Sequence, residues 1–138
     1  MNDVKNLAHE WDRAALIMLR EEEYSIRQVE RLLNETYRIC TEYCTNDMVP
    51  KDICKVFLNI QWFWEIATDV YKNNDPTTSS DCADIDAIDY ILDAIEHGFY
   101  AGKYDYAYPQ IAVTDNKKRV HIYDLNKSFL EDFIDALE

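Results

Sequence analysis

The stretch Pro50–Tyr71, PKDICKVFLNIQWFWEIATDVY, decides the fold. Ile53, Val56, Phe57, Ile60, Trp64, Ala67 and Tyr71 recur at helical spacing and predict one buried face. Cys54, Leu58, Trp62 and Ile66 make a second apolar strip on another side. A helix apolar on most of its circumference is normally enclosed, so this reading makes residues 50–72 the central helix, with the other elements packed around it. The alternative is that part of the Trp62, Trp64 and Tyr71 surface meets a partner or an apolar ligand. The segment is too short, and too interrupted by Lys55, Asn59, Gln61 and Glu65, to span a membrane.

Outward from this helix, the chain reads as one domain over 1–138. At 48% hydrophobic and 13% aromatic residues it can build a core without disulfides. Two glycines and three prolines are too few for the repeated tight turns of a sandwich or barrel. Helices with short connections fit better. The first helix is expected from Val4 to Glu22. Ser25 and Gln28 then form a capping box, with Tyr24 and Val29 as its hydrophobic staple. A second helix carries Ile26, Val29, Leu33, Tyr37, Cys40 and Cys44 inward. Its other face holds Arg27, Glu30, Arg31, Glu35, Arg38 and Glu42, mixed signs that predict solvated ion pairs. Pro50 suits the first turn of the third helix.

Asn73–Ser80 is a polar linker, and Ser80 or Asp81 caps a fourth helix running to Ala101, with Gly102 as its stop. Ile85, Ile88, Leu92, Ile95 and Phe99 are its core stripe. Alternation at Ile111/Val113 and at Val120/Ile122, around the turn Asp115–Lys118, predicts a β-hairpin over about 110–123. A hairpin alone is marginal, so it must pack on the helices or find another strand. A C-terminal helix with Phe129, Leu130, Phe133, Ile134 and Leu137 inward closes the chain. The fold class is mainly α: a bundle of four to five helices around the central helix, with one hairpin before the last.

Charge is uneven. The net charge is −13, from 27 acidic and 14 basic residues, which disfavours direct contact with nucleic acid or an anionic membrane and favours a basic protein. On the fourth helix Asp86, Asp89, Asp93 and Glu96 fall opposite the apolar stripe, and no lysine intervenes. Like charges at that spacing cost a few tenths of a kcal/mol per pair, and a local conflict of this kind tends to mark function. Tyr100, Tyr104, Asp105, Tyr106 and Tyr108 follow directly, and half of the ten tyrosines lie between Tyr90 and Tyr108. Tyrosine supplies rigid apolar area with a polar tip and is enriched in interface hot spots. Asp86, Asp89, Asp93, Glu96, Tyr100, Tyr104, Asp105, Tyr106 and Tyr108 are therefore the candidate partner-binding residues. The bland reading of the same residues is a solvated helix face and a loop whose tyrosines pack back on the core.

Four carboxylates over about 15 Å of helix are sparse beside duplex DNA, which carries a charge per roughly 1.7 Å. Nucleic-acid mimicry would need Glu21–Glu23 and Glu131, Asp132 and Asp135 to continue the stripe in space. Catalytic signals are weaker. His9–Glu10 and Asp93/His97 offer pairs of metal ligands without a third, and no Gly-rich phosphate loop, GxSxG or HExxH occurs. The four cysteines form no CxxC pair and read as buried thiols, with no metal or cofactor implied. The start Met1–Asn6 lacks a basic region followed by an apolar run, which predicts a cytoplasmic protein with reduced cysteines.

The design is similar in strategy, though in no motif, to that of colicin-nuclease immunity proteins, small acidic helical inhibitors that use carboxylates and tyrosines. The expectation is a non-enzymatic protein that binds and inhibits a basic nuclease, toxin or nucleic-acid-binding protein, of immunity, antitoxin or anti-defence type. The alternative is a scaffold or chaperone-like module, dimeric through the hairpin edge or the third helix. A metal-dependent enzyme is the third reading.

Overall fold

The computed structural model describes residues 2–21, 25–74, 79–104, 110–114, 117–127 and 129. Within them the chain is mainly helical, with one small antiparallel hairpin. Helix α1 spans Asn2–Glu21 and α2 spans Ile26–Tyr43. Ser25 caps α2 as its spacing predicts, its Oγ accepting the Gln28 N–H at 3.3 Å. Tyr24, the proposed staple partner of Val29, lies outside the described residues. Helix α3 (Lys51–Asn59) starts after Pro50, whose carbonyl accepts the Ile53 N–H at 3.1 Å. It runs through a π-helical segment, Ile60–Trp64, into α4 (Glu65–Asn74). The Glu65 N–H reaches back to Ile60 O, the i→i+5 bond that defines a π turn. Helix α5 covers Ser79–Ala101 and stops at Gly102, whose φ of 81° is a conformation glycine adopts freely.

One side chain joins three of these pieces. Trp11 of α1 is fully buried, its indole N–H donates to Thr36 Oγ1 on α2 at 3.1 Å, and its ring meets Trp64 edge-on at 5.3 Å. The Thr36 hydroxyl donates to Leu32 O at 2.7 Å, so this buried polar pair is satisfied. Asn59 adds a second tie between α3 and α1, its amide donating to Asp12 Oδ2 at 3.2 Å.

The α3–α4 helix is not enclosed on all sides. Ile53, Val56, Phe57, Ile60, Trp64, Ala67 and Tyr71 are buried as expected, but Cys54, Leu58, Trp62, Phe63, Ile66 and Val70 are exposed. The expectation of a central helix is corrected accordingly: this helix presents an apolar crest to solvent. The periodicity cannot distinguish two buried stripes from one buried and one bare. Helix α5 buries a wider face than its predicted stripe, with Ile85, Ala87, Ile88, Ile91 and Ile95 completely buried.

Strands β1 (Gln110–Thr114) and β2 (Val120–Asp124) pair antiparallel, with Ile111 opposite Tyr123 and Val113 opposite His121. β1 lies against α5 with Ile111 and Val113 buried, and the Tyr37 hydroxyl donates to Gln110 O at 2.6 Å. On β2 the buried residue is Tyr123, while the alternating pair Val120 and Ile122 faces outward. Of the ion pairs predicted on the outer face of α2, Arg38 bridges to Glu35 and Glu42, while Arg31 reaches across to Glu10 of α1. Glu30, placed on the solvated face by its spacing, is buried, and its Oε2 accepts the Phe129 N–H at 3.3 Å. The predicted C-terminal helix lies, beyond the buried Phe129, outside the described residues.

Gly98 marks a close approach. A Cβ there would collide with the ring of Tyr104. An exposed helical glycine replaced by alanine gains about 1 kcal/mol of helix propensity. Gly98→Ala is expected instead to lower the melting temperature, with overpacking costing about 1–3 kcal/mol. Thermal melts that show Gly98→Ala to be stabilising would contradict this packing, and Tyr104→Ala in the same chain should recover part of the loss.

Candidate functional site

The candidate residues divide into three groups. Asp105, Tyr106 and Tyr108 lie outside the described residues. Tyr104 is half-buried and committed internally: its hydroxyl donates to Ile95 O at 2.6 Å, its ring meets Tyr37 edge-on at 4.9 Å, and burial beside Cys40 pushes its phenol well above the ordinary range. Cys40 below it is buried, and its thiol is pushed up to about 12, mainly by burial. Tyr104 thus packs back on α5, the bland reading of that loop. Asp86, Asp89, Asp93, Glu96 and Tyr100 remain along α5, with Asp89 half-buried and the others exposed. Asp86 and Asp89 both have interactions within the chain.

Asp93 and Glu96 lie within electrostatic reach of carboxylates on another helix. Glu65, on the first turn of α4, has its carboxyl raised above the usual range, first by partial burial and then by Asp93, Glu96 and Asp69. Glu96 is raised by burial and by Asp93. Among the described residues none of these four has an ion-pair partner. Tyr100 stands at the end of the row with its ring mostly exposed, 5.9 Å from Phe57, and its phenol is raised by burial, then by Glu96 and Cys54. These proximities fix the layout: Cys54 lies near Tyr100, Glu65 lies near Asp93 and Glu96, and the two helices run antiparallel.

The arrangement has chemistry for attracting cations. Among the described residues no three His, Cys, Asp or Glu side chains converge as metal ligands. His9 is exposed, and Glu10 is taken by Arg31. Cys54 is exposed, contrary to the reading of all cysteines as buried thiols, while Cys40 is buried and Cys44 half-buried. No described helix is long and apolar enough to cross a membrane. Glu65 and Asp69 escape sequence reasoning because they sit in the helix read as core. The available signal was their i, i+4 spacing on its polar edge. Comparison with protein families, with curated proteins and with solved structures finds no match.

A carboxyl raised in the folded state binds more protons there than in the unfolded chain. Stability therefore falls as pH rises from the unfolded-state value through the folded one, and the penalty is complete above both. Glu65→Gln with Glu96→Gln should raise the melting temperature by about 1–2 °C at pH 7. The gain should shrink toward pH 4, where the native carboxyls are protonated. Thermal melts at the two pH values check this, and an unchanged or lowered melting temperature at pH 7 counts against the cluster.

Proposed function

We propose that this protein binds and inhibits a basic protein, in the manner of an immunity protein, antitoxin or anti-defence inhibitor. The observation that carries the reading is the gathering of Glu65, Asp69, Asp93 and Glu96 from α4 and α5, unpaired among the described residues, beside the exposed Tyr100. Unrelieved charge of one sign costs stability in the free protein and speeds encounter with a complementary partner. The partner is a cationic nuclease, toxin or nucleic-acid-binding protein, and the reading involves no direct contact with nucleic acid and no catalysis. With two helices contributing, the carboxylates form a patch wider than a single-helix stripe, which brings nucleic-acid mimicry closer without requiring Glu21–Glu23.

A second reading has its own support. The bare crest Leu58, Trp62 and Ile66 suits a scaffold that dimerises through this helix. Sedimentation velocity separates the two, since a dimer held by apolar contact persists at high salt. For the inhibitor reading, recovery of partners from the native cell at two ionic strengths supplies the ligand. Asp93→Lys with Glu96→Lys should then slow its association by roughly tenfold at low salt and by little at high salt. An association rate that ignores both the substitutions and the salt would remove the reading.

A further inference from the structure

The crest of the α3–α4 helix is unpartnered, and its position beside the carboxylates says what covers it. Leu58, Trp62 and Ile66 follow one another at i, i+4 and are 44%, 61% and 56% exposed. Single exposed apolar residues are ordinary, but a contiguous row containing tryptophan is what interaction surfaces show. The row is seated on the π segment, and π turns occur disproportionately at functional sites. Glu65 is three residues beyond Trp62, and Asp69 three beyond Ile66, so both acids lie beside the crest on the same helix. Asp93 and Glu96 of α5 lie within electrostatic reach of Glu65, and the Tyr100 ring lies 5.9 Å from that of Phe57 on the crest's own helix.

We propose that Leu58, Trp62 and Ile66 are the apolar anchor of the acidic docking surface, and that the occupant is an amphipathic segment of the basic partner, its apolar stripe bordered by lysine or arginine. This rests on the inhibitor reading and deepens it. Charge complementarity selects that occupant. An anionic membrane is repelled by the four carboxylates, and a second copy of this chain adds another −13. Crest-to-crest pairing with the helices antiparallel would also set each acidic rim against itself. A cationic amphipathic segment fills the crest and supplies the missing counter-charges together. The division of labour follows: the carboxylates govern association, and Trp62 governs residence.

Trp62 reports on its own occupancy, because it is exposed while Trp11 and Trp64 are fully buried. The probes are a synthetic amphipathic leucine–lysine helical peptide, a peptide of the same composition with the leucines scattered round the helix, and oligolysine. The amphipathic peptide should shift the tryptophan emission to the blue and protect it from acrylamide, and the scattered one should do so far less. Trp62→Ala, and independently Ile66→Ser, should weaken the amphipathic peptide about tenfold or more, mainly through faster dissociation. Both residues are exposed, so circular dichroism should show these variants folded. Equal binding of amphipathic and scattered peptides, indifferent to both substitutions, overturns the crest as anchor while leaving the acidic reading intact. Failure of oligolysine and both peptides to bind at low salt removes the acidic reading as well. Trp62 already shielded in the protein alone, with a salt-insensitive dimer in sedimentation, assigns the crest to a second copy and overturns the proposal.

Discussion

The contact between Trp11 and Trp64 is the constraint on which the arrangement rests. Through its indole N–H, Trp11 holds α1 to Thr36 of α2, and through its T-shaped ring contact with Trp64 it holds α1 to the π segment. Edge-to-face aromatic pairs contribute about 0.5–1.5 kcal/mol beyond the area they bury. Trp64 has a cost to set against this, because its own indole N–H is buried with no acceptor among the described residues. Both ends of the π segment, Ile60 and Trp64, face inward, while Gln61, Trp62 and Phe63 between them face out. A turn closed by an i→i+5 bond holds one more residue than an α turn, and that surplus lies on the solvent side. The exposed Trp62 is thus geometrically tied to the buried Trp64.

Electrostatics on the adjoining face runs against stability in the same way. Arg31 and Arg38 are spent on α1 and α2 carboxylates, leaving the α4–α5 edge without them. Glu65 and Glu96 are exposed but incompletely solvated, and sit among like charges. A sequence free of other demands would place a lysine at Asp69 or Asp93, where neighbouring pairs would each add a few tenths of a kcal/mol. Mutual repulsion and a bare apolar crest are two separate departures from a quiet surface, and they occur side by side. Local conflicts concentrated in one place are the pattern expected of a surface that acts on something else.

Much of the framework was legible because it is written in short-range chemistry. The Ser25 cap, the start at Pro50, the stop at Gly102 and the inward stripes of α2 and α5 each depend on residues within a turn or two. What depended on distant neighbours was not legible. Whether the Cys54–Ile66 strip is covered is decided by helices far away in sequence, as is the burial of Glu30 against Phe129. Tyr104 illustrates the same limit: its place over Gly98 follows from a close helix–loop approach that composition does not encode. The acidic row was half visible. Asp93 and Glu96 stood out on α5, whereas Glu65 and Asp69 were hidden within a segment that reads as core.

With Tyr104 turned inward, the balance between steering and anchoring changes. Aromatic anchoring no longer rests on a tyrosine-rich loop beside a single acidic helix. In the proposed surface it would pass to the exposed Tyr100 of α5 and the exposed Trp62 on the neighbouring helix. A surface of charge alone would gain encounter rate and lose it again to salt, because exposed ion pairs hold partners weakly. Apolar area alone would invite self-association. On the proposed reading, interleaved carboxylates would keep like copies apart by repulsion while the crest would retain a cationic partner once it arrived. Specificity of this kind comes as much from what the surface rejects as from what it holds.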